Sequence, residues 1–588
     1  MNRFEVELPF GAQLLADSRT RFRLWAPGAR SVGLEVEGHP PITMTHDGAG
    51  IFTALAACGA GARYRYRIGA GDGETVAVPD PASRAQPDGV QGPSLVVEPR
   101  AYAWRRPDWR GRDWETAVIY EVHAGLMGGF KGVEAALADL ADLGVTAIEL
   151  MPIAAFSGLR NWGYDGVLPF APAEAYGPPD DLKRLIDRAH ELGLMMILDV
   201  VYNHFGPDGN YIGAYAPQMF REDLQTPWGG AIDFRRRQVR DYFTANAIYW
   251  LNEYRFDGLR LDAVHAIGAP DWLQEMAAAV RAAVGPDRQV HLILENEHNA
   301  ASLLGGDIDA QWNDDFHNVL HVLLTGETGA YYQDFADRPA ERLARCLAEG
   351  FIYQGEASAS HDGAPRGEPS ADLPPTAFVA FLQNHDQVGN RALGERLIHL
   401  ADPRAVRAAT ALLLLGPQIP LLFMGEALGS EAPFLFFTDF HDSLAQAVRE
   451  GRRQEFAKFP AFSDPQARAA IPDPNAPSTF DRSRPTPGHN AAETRAFYRQ
   501  LLTLRRERIA PGLRAARAIG AQVLGPKAVI ARWRLGDGAH LTLAINLNAE
   551  AVPLDNTPAA EPVYRFGAGA APGELSGYTF VAWLESAP

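Results

Sequence analysis

Two periodicities of apolar and polar positions divide the chain. Over residues 1–98, stretches such as RFRLWAPGA, VGLEVEG, IFTALAA and RYRYRIGAG alternate or are rich in β-branched and aromatic residues, and Gly, Pro and Asp interrupt them. A period of two marks strands with one buried face, which predicts a small β-sandwich. The segment VPDPASRAQPDGVQGPS, residues 78–94, is dense in Pro, Gly, Asp and Ser and reads as a boundary without regular structure.

From Ala117 the pattern changes to short, continuously apolar runs separated by amphipathic helical stretches. The runs are AVIYEVHAG, TAIELMPI, LMMILDVVYNH, FDGLRLDAV, VHLILENE, IDAQWNDDF, TAFVAFLQNHD and IPLLFMGE, and the helices include VEAALADLADLG and DDLKRLIDRAHELG. Strands buried on both faces lose alternation, so this predicts βαβ units and a parallel sheet. Eight such runs without a Gly-rich phosphate turn after the first favour a closed (β/α)8 TIM barrel over an open doubly wound sheet. The barrel, with loop and helical insertions, is expected over residues 99–511, and renewed strand patterns predict an all-β domain over 512–588.

Composition narrows the function. Of the 588 residues, 72 are acidic and 54 are Lys or Arg, a formal charge of −18 that disfavours nucleic acid and anionic membranes as partners. Two distant cysteines, Cys58 and Cys346, form no disulfide framework, and neither a signal-type N-terminus nor an apolar run long enough to span a bilayer is evident. A soluble cytoplasmic protein is expected.

In a (β/α)8 barrel the active site lies at the C-terminal ends of the strands. Polar residues gather there: Asn203 and His204; Arg260, Asp262 and His265; Glu295 and Glu297; Asp314, Asp315 and His317; His385, Asp386, Asn390 and Arg391. Any one of these acids could cap a helix or pair with an Arg. Together they need a shared ligand or a division of protonation states, because unpaired carboxylates are costly to bury. A catalytic zinc site would favour a spacing such as HExxH, which is absent, so two-carboxylate glycoside cleavage fits better than metal-assisted hydrolysis.

The segments DVVYNH (199–204), DGLRLDAVH (257–265), LENE (294–297) and QNHDQVGN (383–390) resemble, in order, the four short regions of the α-amylase superfamily. LWAPGARSVGLEVEG is similar to the immunoglobulin-like, carbohydrate-binding-module-like sandwich that precedes the barrel in relatives acting on branched or modified α-glucans. The resemblance implies Asp262 as nucleophile, Glu295 as general acid and base, and Asp386 as the third acid, with Arg260 keeping Asp262 ionised. Retention would set Asp262 and Glu295 about 5 to 5.5 Å apart. Tyr164, His204, Arg260, His265, Asp315, His317, His385 and Asn390 are the candidate substrate-binding residues. Neither a cofactor nor a metal is expected, since no Asp-rich calcium loop lies near Asn203.

Within the superfamily, YRFDGLRLDAVHAI and FMGEALGSEAPFLFFTDF resemble the branch that cuts the α-1,4 bond next to a terminal α,α-trehalose unit, which implies maltooligosyltrehalose as substrate. That branch normally reads GEE where this chain has Gly425, Glu426 and Ala427. Glycogen branching enzyme is the alternative within the superfamily; a catalytically dead glucan-binding barrel is the alternative of another class. Trp162, Trp228, Trp312, Phe316, His317 and the loop after Gly425 are candidates for the trehalose pocket, each with core or rim packing as its competing role.

Overall fold

The computed structural model describes residues 4, 6–69, 75–226, 229–555, 557–568 and 573–586. Eight parallel strands close a barrel: β1 Ile119–Val122, β2 Ala147–Leu150, β3 Met195–Val200, β4 Gly258–Leu261, β5 His291–Leu294, β6 Ala310–Trp312, β7 Phe378–Ala380 and β8 Ile419–Phe423. All eight lie within the apolar runs named above. β8 returns to β1 with Leu421 opposite Ile119. Every residue of these strands is buried, because inward side chains fill the barrel and outward ones meet helices. The first helix, Gly129–Leu143, ends on Gly144 at φ 108°, a left-handed cap that glycine adopts without Cβ strain.

The N-terminal strands form two facing sheets. Thr20–Trp25 and Ile51–Ala56 centre one; Ser31–Val36 and Arg63–Gly69 centre the other. Their inward rows, including Phe22, Leu24, Val32, Leu34, Tyr64 and Tyr66, are buried as alternation requires. The C-terminal strands Arg517–Gly525, Ala528–Arg534, His540–Asn546, Thr579–Glu585 and Tyr564–Phe566 make an antiparallel sheet.

The Pro/Gly-rich stretch after the sandwich differs from a solvated boundary. It is irregular but tucked inward, because its polar groups find partners there. Asp80 is fully buried and accepts hydrogen bonds from Tyr64 Oη at 2.7 Å, Tyr66 Oη at 3.1 Å and the Ala82 amide at 2.8 Å. Tyr242, on a barrel helix, donates to the Pro81 carbonyl at 2.6 Å. The stretch therefore joins sandwich to barrel. No helix among the described residues is long and apolar enough to cross a membrane.

Candidate active site

The site grows from strand ends. β4 carries Arg260 facing inward, and two residues later, on the same face, Asp262 emerges at the mouth. Arg260 is fully buried; its Nη1 donates to Asp199 Oδ2 at 2.7 Å and to Asp262 Oδ1 at 2.8 Å, and its Nη2 lies 3.6 Å from Glu295 Oε2. One guanidinium thus links β3, β4 and β5. Below, Arg260 stacks over the Trp312 ring at 4.1 Å. Asn203 Nδ2 donates to the second Asp262 oxygen at 2.8 Å and touches His204 Nδ1 through its own side-chain oxygen.

Glu295 follows β5 directly, and its carboxylate accepts the backbone N–H of Ala263. Ala263 holds φ 41° and ψ 50°, a left-handed conformation unfavourable for alanine, which turns that amide toward Glu295 just after Asp262. Burial pushes the Glu295 carboxyl well above the usual range; Arg260 opposes this, and the anions Asp262, Asp314 and Asp386 add to it. The surroundings of Glu295 therefore favour its neutral acid form beside Asp262.

Asp386 sits on the turn after β7, where the Asn384 side chain caps the Asp386 and Gln387 amides at 2.9 and 3.2 Å. Its carboxylate, 39% exposed, accepts from Asn390 Nδ2 at 3.2 Å and lies 3.4 Å from His385 Nε2. Both the backbone amide and Nδ1 of His385 engage Glu121. Burial disfavours the charged His385 ring, but Glu121 and Asp386 outweigh it and lift its pKa to about 9, so the ring is cationic at neutral pH. Tyr164 stacks on His385 at 5.0 Å and donates from Oη to Asp199 at 2.6 Å.

Asp262, Glu295, Asp386, Tyr164, His204, Arg260, His385 and Asn390 therefore gather at one rim. His265 is at its edge, half-buried, with Nε2 3.6 Å from Glu297 and its ring 5.4 Å from that of His298. Two candidates turn away from the mouth. Asp315 is fully buried; one of its oxygens accepts from Asn299 Nδ2 at 2.9 Å and from the Ile352 and Tyr353 amides at 2.8 and 3.2 Å, while Arg366 pairs with the other at 3.1 Å. Its carboxylate is engaged inside the protein, away from the mouth. His317 is likewise enclosed, bonded to the Leu382 carbonyl at 2.6 Å and Tyr332 Oη at 3.1 Å.

The aromatic candidates also sort by burial. Trp312 and Phe316 are core residues at 1% exposure, and Trp162 is buried with Nε1 donating to the Leu435 carbonyl at 2.9 Å. Trp228 lies outside the described residues. Immediately after Gly425 the chain leaves the mouth, since the Gly425 amide bonds Tyr120 Oη at 2.8 Å outside the barrel.

The neighbour Asp314 takes the place expected of Asp315. Asp314 and Asp315 open the helix Asp314–Thr325, so successive side chains diverge by a helical step, and Asp314 meets Gln387 Nε2 at 3.4 Å. Burial, with Asp386 and Asp315 adding to it, pushes Asp314 up to about 7. Beneath the mouth Glu121, Glu149 and Asp199 form an inward ring that the reading of strand ends passed over. Their signal is an acid embedded in a doubly buried run: IYEV, AIEL and MILD. Neither oxygen of Glu149 has a hydrogen-bond partner among the described residues, and burial holds its carboxyl well above the usual range, with Glu121 and Asp199 adding to the effect. No group of three or more metal-ligating side chains is arranged to hold an ion among the described residues.

A closed parallel barrel with acids around a buried arginine at its C-terminal rim, behind a β-sandwich, defines a glycoside hydrolase of the α-amylase type. The comparisons agree: residues 80–222 match the alpha amylase catalytic domain, 9–83 carbohydrate-binding module 48 (isoamylase N-terminal domain) and 516–582 a domain of unknown function, DUF3459. The malto-oligosyltrehalose trehalohydrolase of Deinococcus radiodurans is 43% identical, the match covering 83% of this chain and 81% of that one. The Saccharolobus solfataricus enzyme of the same name is 40% identical over 85% and 87% of the two chains. The chain belongs to the malto-oligosyltrehalose trehalohydrolase family. A solved Salmonella typhimurium structure, provisionally named an alpha amylase, superposes with a TM-score of 0.93 at 45% identity, covering 99% of this chain and all of that one. Apo pullulanase from Paenibacillus barengoltzii, at 22% identity, TM-score 0.71, 100% coverage of this chain and 95% of its own, shares the fold.

Proposed function

We propose that this enzyme is a retaining glycoside hydrolase that cuts the α-1,4 bond next to the terminal trehalose of maltooligosyltrehalose, releasing trehalose and a shorter maltooligosaccharide. The observation that carries the chemistry is Arg260, bonded to Asp262 and 3.6 Å from Glu295, whose burial favours the neutral acid. Asp262 attacks the anomeric carbon while Glu295 gives its proton to the departing glycosidic oxygen, which leaves a glycosyl ester on Asp262. Glu295, now a carboxylate, takes a proton from water, and the hydroxide so formed displaces Asp262 with net retention. Asp386 and cationic His385 hold sugar hydroxyls, Tyr164 faces the ring, and His204 bonds the same sugar. The reaction uses no cofactor.

The relatives' names support the choice of substrate. In this reading residues 1–98 are the sandwich, 99–511 the catalytic barrel and 512–588 the C-terminal β domain, and the enzyme works in the cytoplasm. A branching enzyme of Bordetella pertussis is 36% identical but matches only 42% of this chain and 37% of its own. Product analysis on maltooligosyltrehalose, maltopentaose and glycogen tests the proposal. Trehalose is expected from the first alone. New α-1,6 branches on glycogen would replace it with chain transfer, and no product from any of them would leave a glucan-binding barrel.

A further inference from the structure

A cleft of about 460 Å³ opens on the barrel's flank, within the size range of small-ligand sites and lined by none of the residues placed at the mouth. It lies between the segment Ile398–Arg407 and the loop and helix that carry Glu426, His489 and Phe497. Glu426, Thr410 and Tyr498 also line an inner recess of about 20 Å³, room for one water-sized group or one hydroxyl. This is where the chain reads Gly425, Glu426, Ala427, a motif the catalytic mouth does not use.

The recess contains unspent hydrogen-bonding capacity. Arg396, 1% exposed, donates from Nε to the Ala432 carbonyl at 2.6 Å and from Nη1 to the Met424 carbonyl at 3.0 Å, but its Nη2 has no hydrogen-bond partner among the described residues. Glu426, 9% exposed, accepts from the Phe423 amide at 3.0 Å, from the Gln383 side chain and, only distantly, at 3.4 Å, from Tyr498 Oη. A donor and an acceptor side by side suit a hydroxyl, which both gives and takes a hydrogen bond. The outer polar groups already have partners: His489 Nδ1 hydrogen-bonds Glu431 at 2.6 Å and Arg407 pairs with Glu493 at 2.6 Å. A charged ligand would have to break such pairs; an uncharged one need not. Phe497 adds an aromatic wall for the C–H face of a ring.

We propose that this cleft is a second binding site for a neutral sugar, which seats one hydroxyl between Arg396 and Glu426 and lays a ring on Phe497. The choice of sugar rests on the substrate class proposed above; the cleft's geometry does not. Equilibrium dialysis of trehalose and, separately, maltotriose against the Asp262→Asn protein, where turnover is blocked, tests it. For at least one sugar, two molecules per chain are expected at saturation, falling to one in Asp262→Asn combined with Phe497→Leu or with Asn490→Trp. Asn490 is exposed on the rim, so its replacement fills the cleft without removing core packing. Trehalose as the extra sugar identifies the released disaccharide as ligand, and maltotriose the glucan chain. A single bound molecule of each sugar in the Asp262→Asn protein, or two persisting after Asn490→Trp, overturns the site. Failure of the wild type to release trehalose would overturn the hydrolase reading, whereas the loss of one bound molecule on Asn490→Trp would still report the cleft.

Discussion

The floor and the mouth of the barrel are made from the same strands, two residues apart. On β3, Met195 and Ile197 face an apolar interior and Asp199 faces Arg260; β1 places Ile119 below Glu121, β2 Ala147 below Glu149, and β5 Ile293 below Glu295. The floor residues cluster with Ala310, Val379, Ile419 and Leu421 and gain stability from every apolar area they remove from water. The mouth residues lose by the same burial, since a carboxyl out of water must be paired or protonated. Strand period alone therefore assigns stability to one layer and chemistry to the next, and the lower layer offsets what the upper layer costs.

The largest test of that division is removal of the proposed nucleophile. Asp262→Ala is expected to lower kcat/KM on maltooligosyltrehalose by about 10⁴-fold or more. Glu295→Gln comes next, at roughly 10² to 10⁴-fold on the natural substrate. Its loss should shrink on an aryl glucoside with a good leaving group, because that bond needs no proton to break; an equal loss on both substrates would remove Glu295 from the acid role. Ile197→Ala should do the reverse. It empties part of the floor and is expected to cost about 2 to 5 kcal/mol in denaturant unfolding, with kcat/KM per folded molecule unchanged.

The contrast also explains what could be read from the chain. Doubly buried runs make strands of one kind only, so the eight-strand barrel and its order were legible, and so were acids lying one residue past a run, Asp262 and Glu295. Asp315 was misassigned because two adjacent acids open one helix, and only the packing of that helix decides which faces the mouth; nothing local separates it from Asp314. His317 lies on the same helix and resembles a mouth residue by spacing, yet Leu382 and Tyr332 satisfy both its nitrogens. Glu121, Glu149 and Asp199 were hidden for a different reason: an acid inside an apolar run looks like an interruption until closure of the barrel turns it inward. In the boundary stretch Pro and Gly predict the irregular backbone but not that Asp80 finds two tyrosines.

Asp314 sharpens the picture by a smaller amount. Its carboxyl titrates near 7, and once ionised it raises the affinity of Glu295 for its proton. Asp314→Asn removes that anion, so the Glu295 pKa should fall. The rate depends on protonated Glu295, and the basic limb of the pH profile of kcat should therefore move to lower pH. An unmoved limb would separate Asp314 from the working acid.

The smallest effect is expected at Glu149, which tests the protonation logic of the upper layer most directly. Glu149 is fully buried between Glu121 and Asp199, and its environment favours the neutral acid. Glu149→Gln replaces one neutral group with another of nearly the same shape. Activity at neutral pH should stay within about twofold, and unfolding free energy should change by no more than about 1 kcal/mol. Asp199→Asn, two strand positions from the floor residue Ile197, is the matched control, because it removes a charge that Arg260 bonds at 2.7 Å. Breaking that buried pair should cost about 3 to 5 kcal/mol. Equal losses in the two variants would mean that Glu149 carries a charge that its surroundings disfavour.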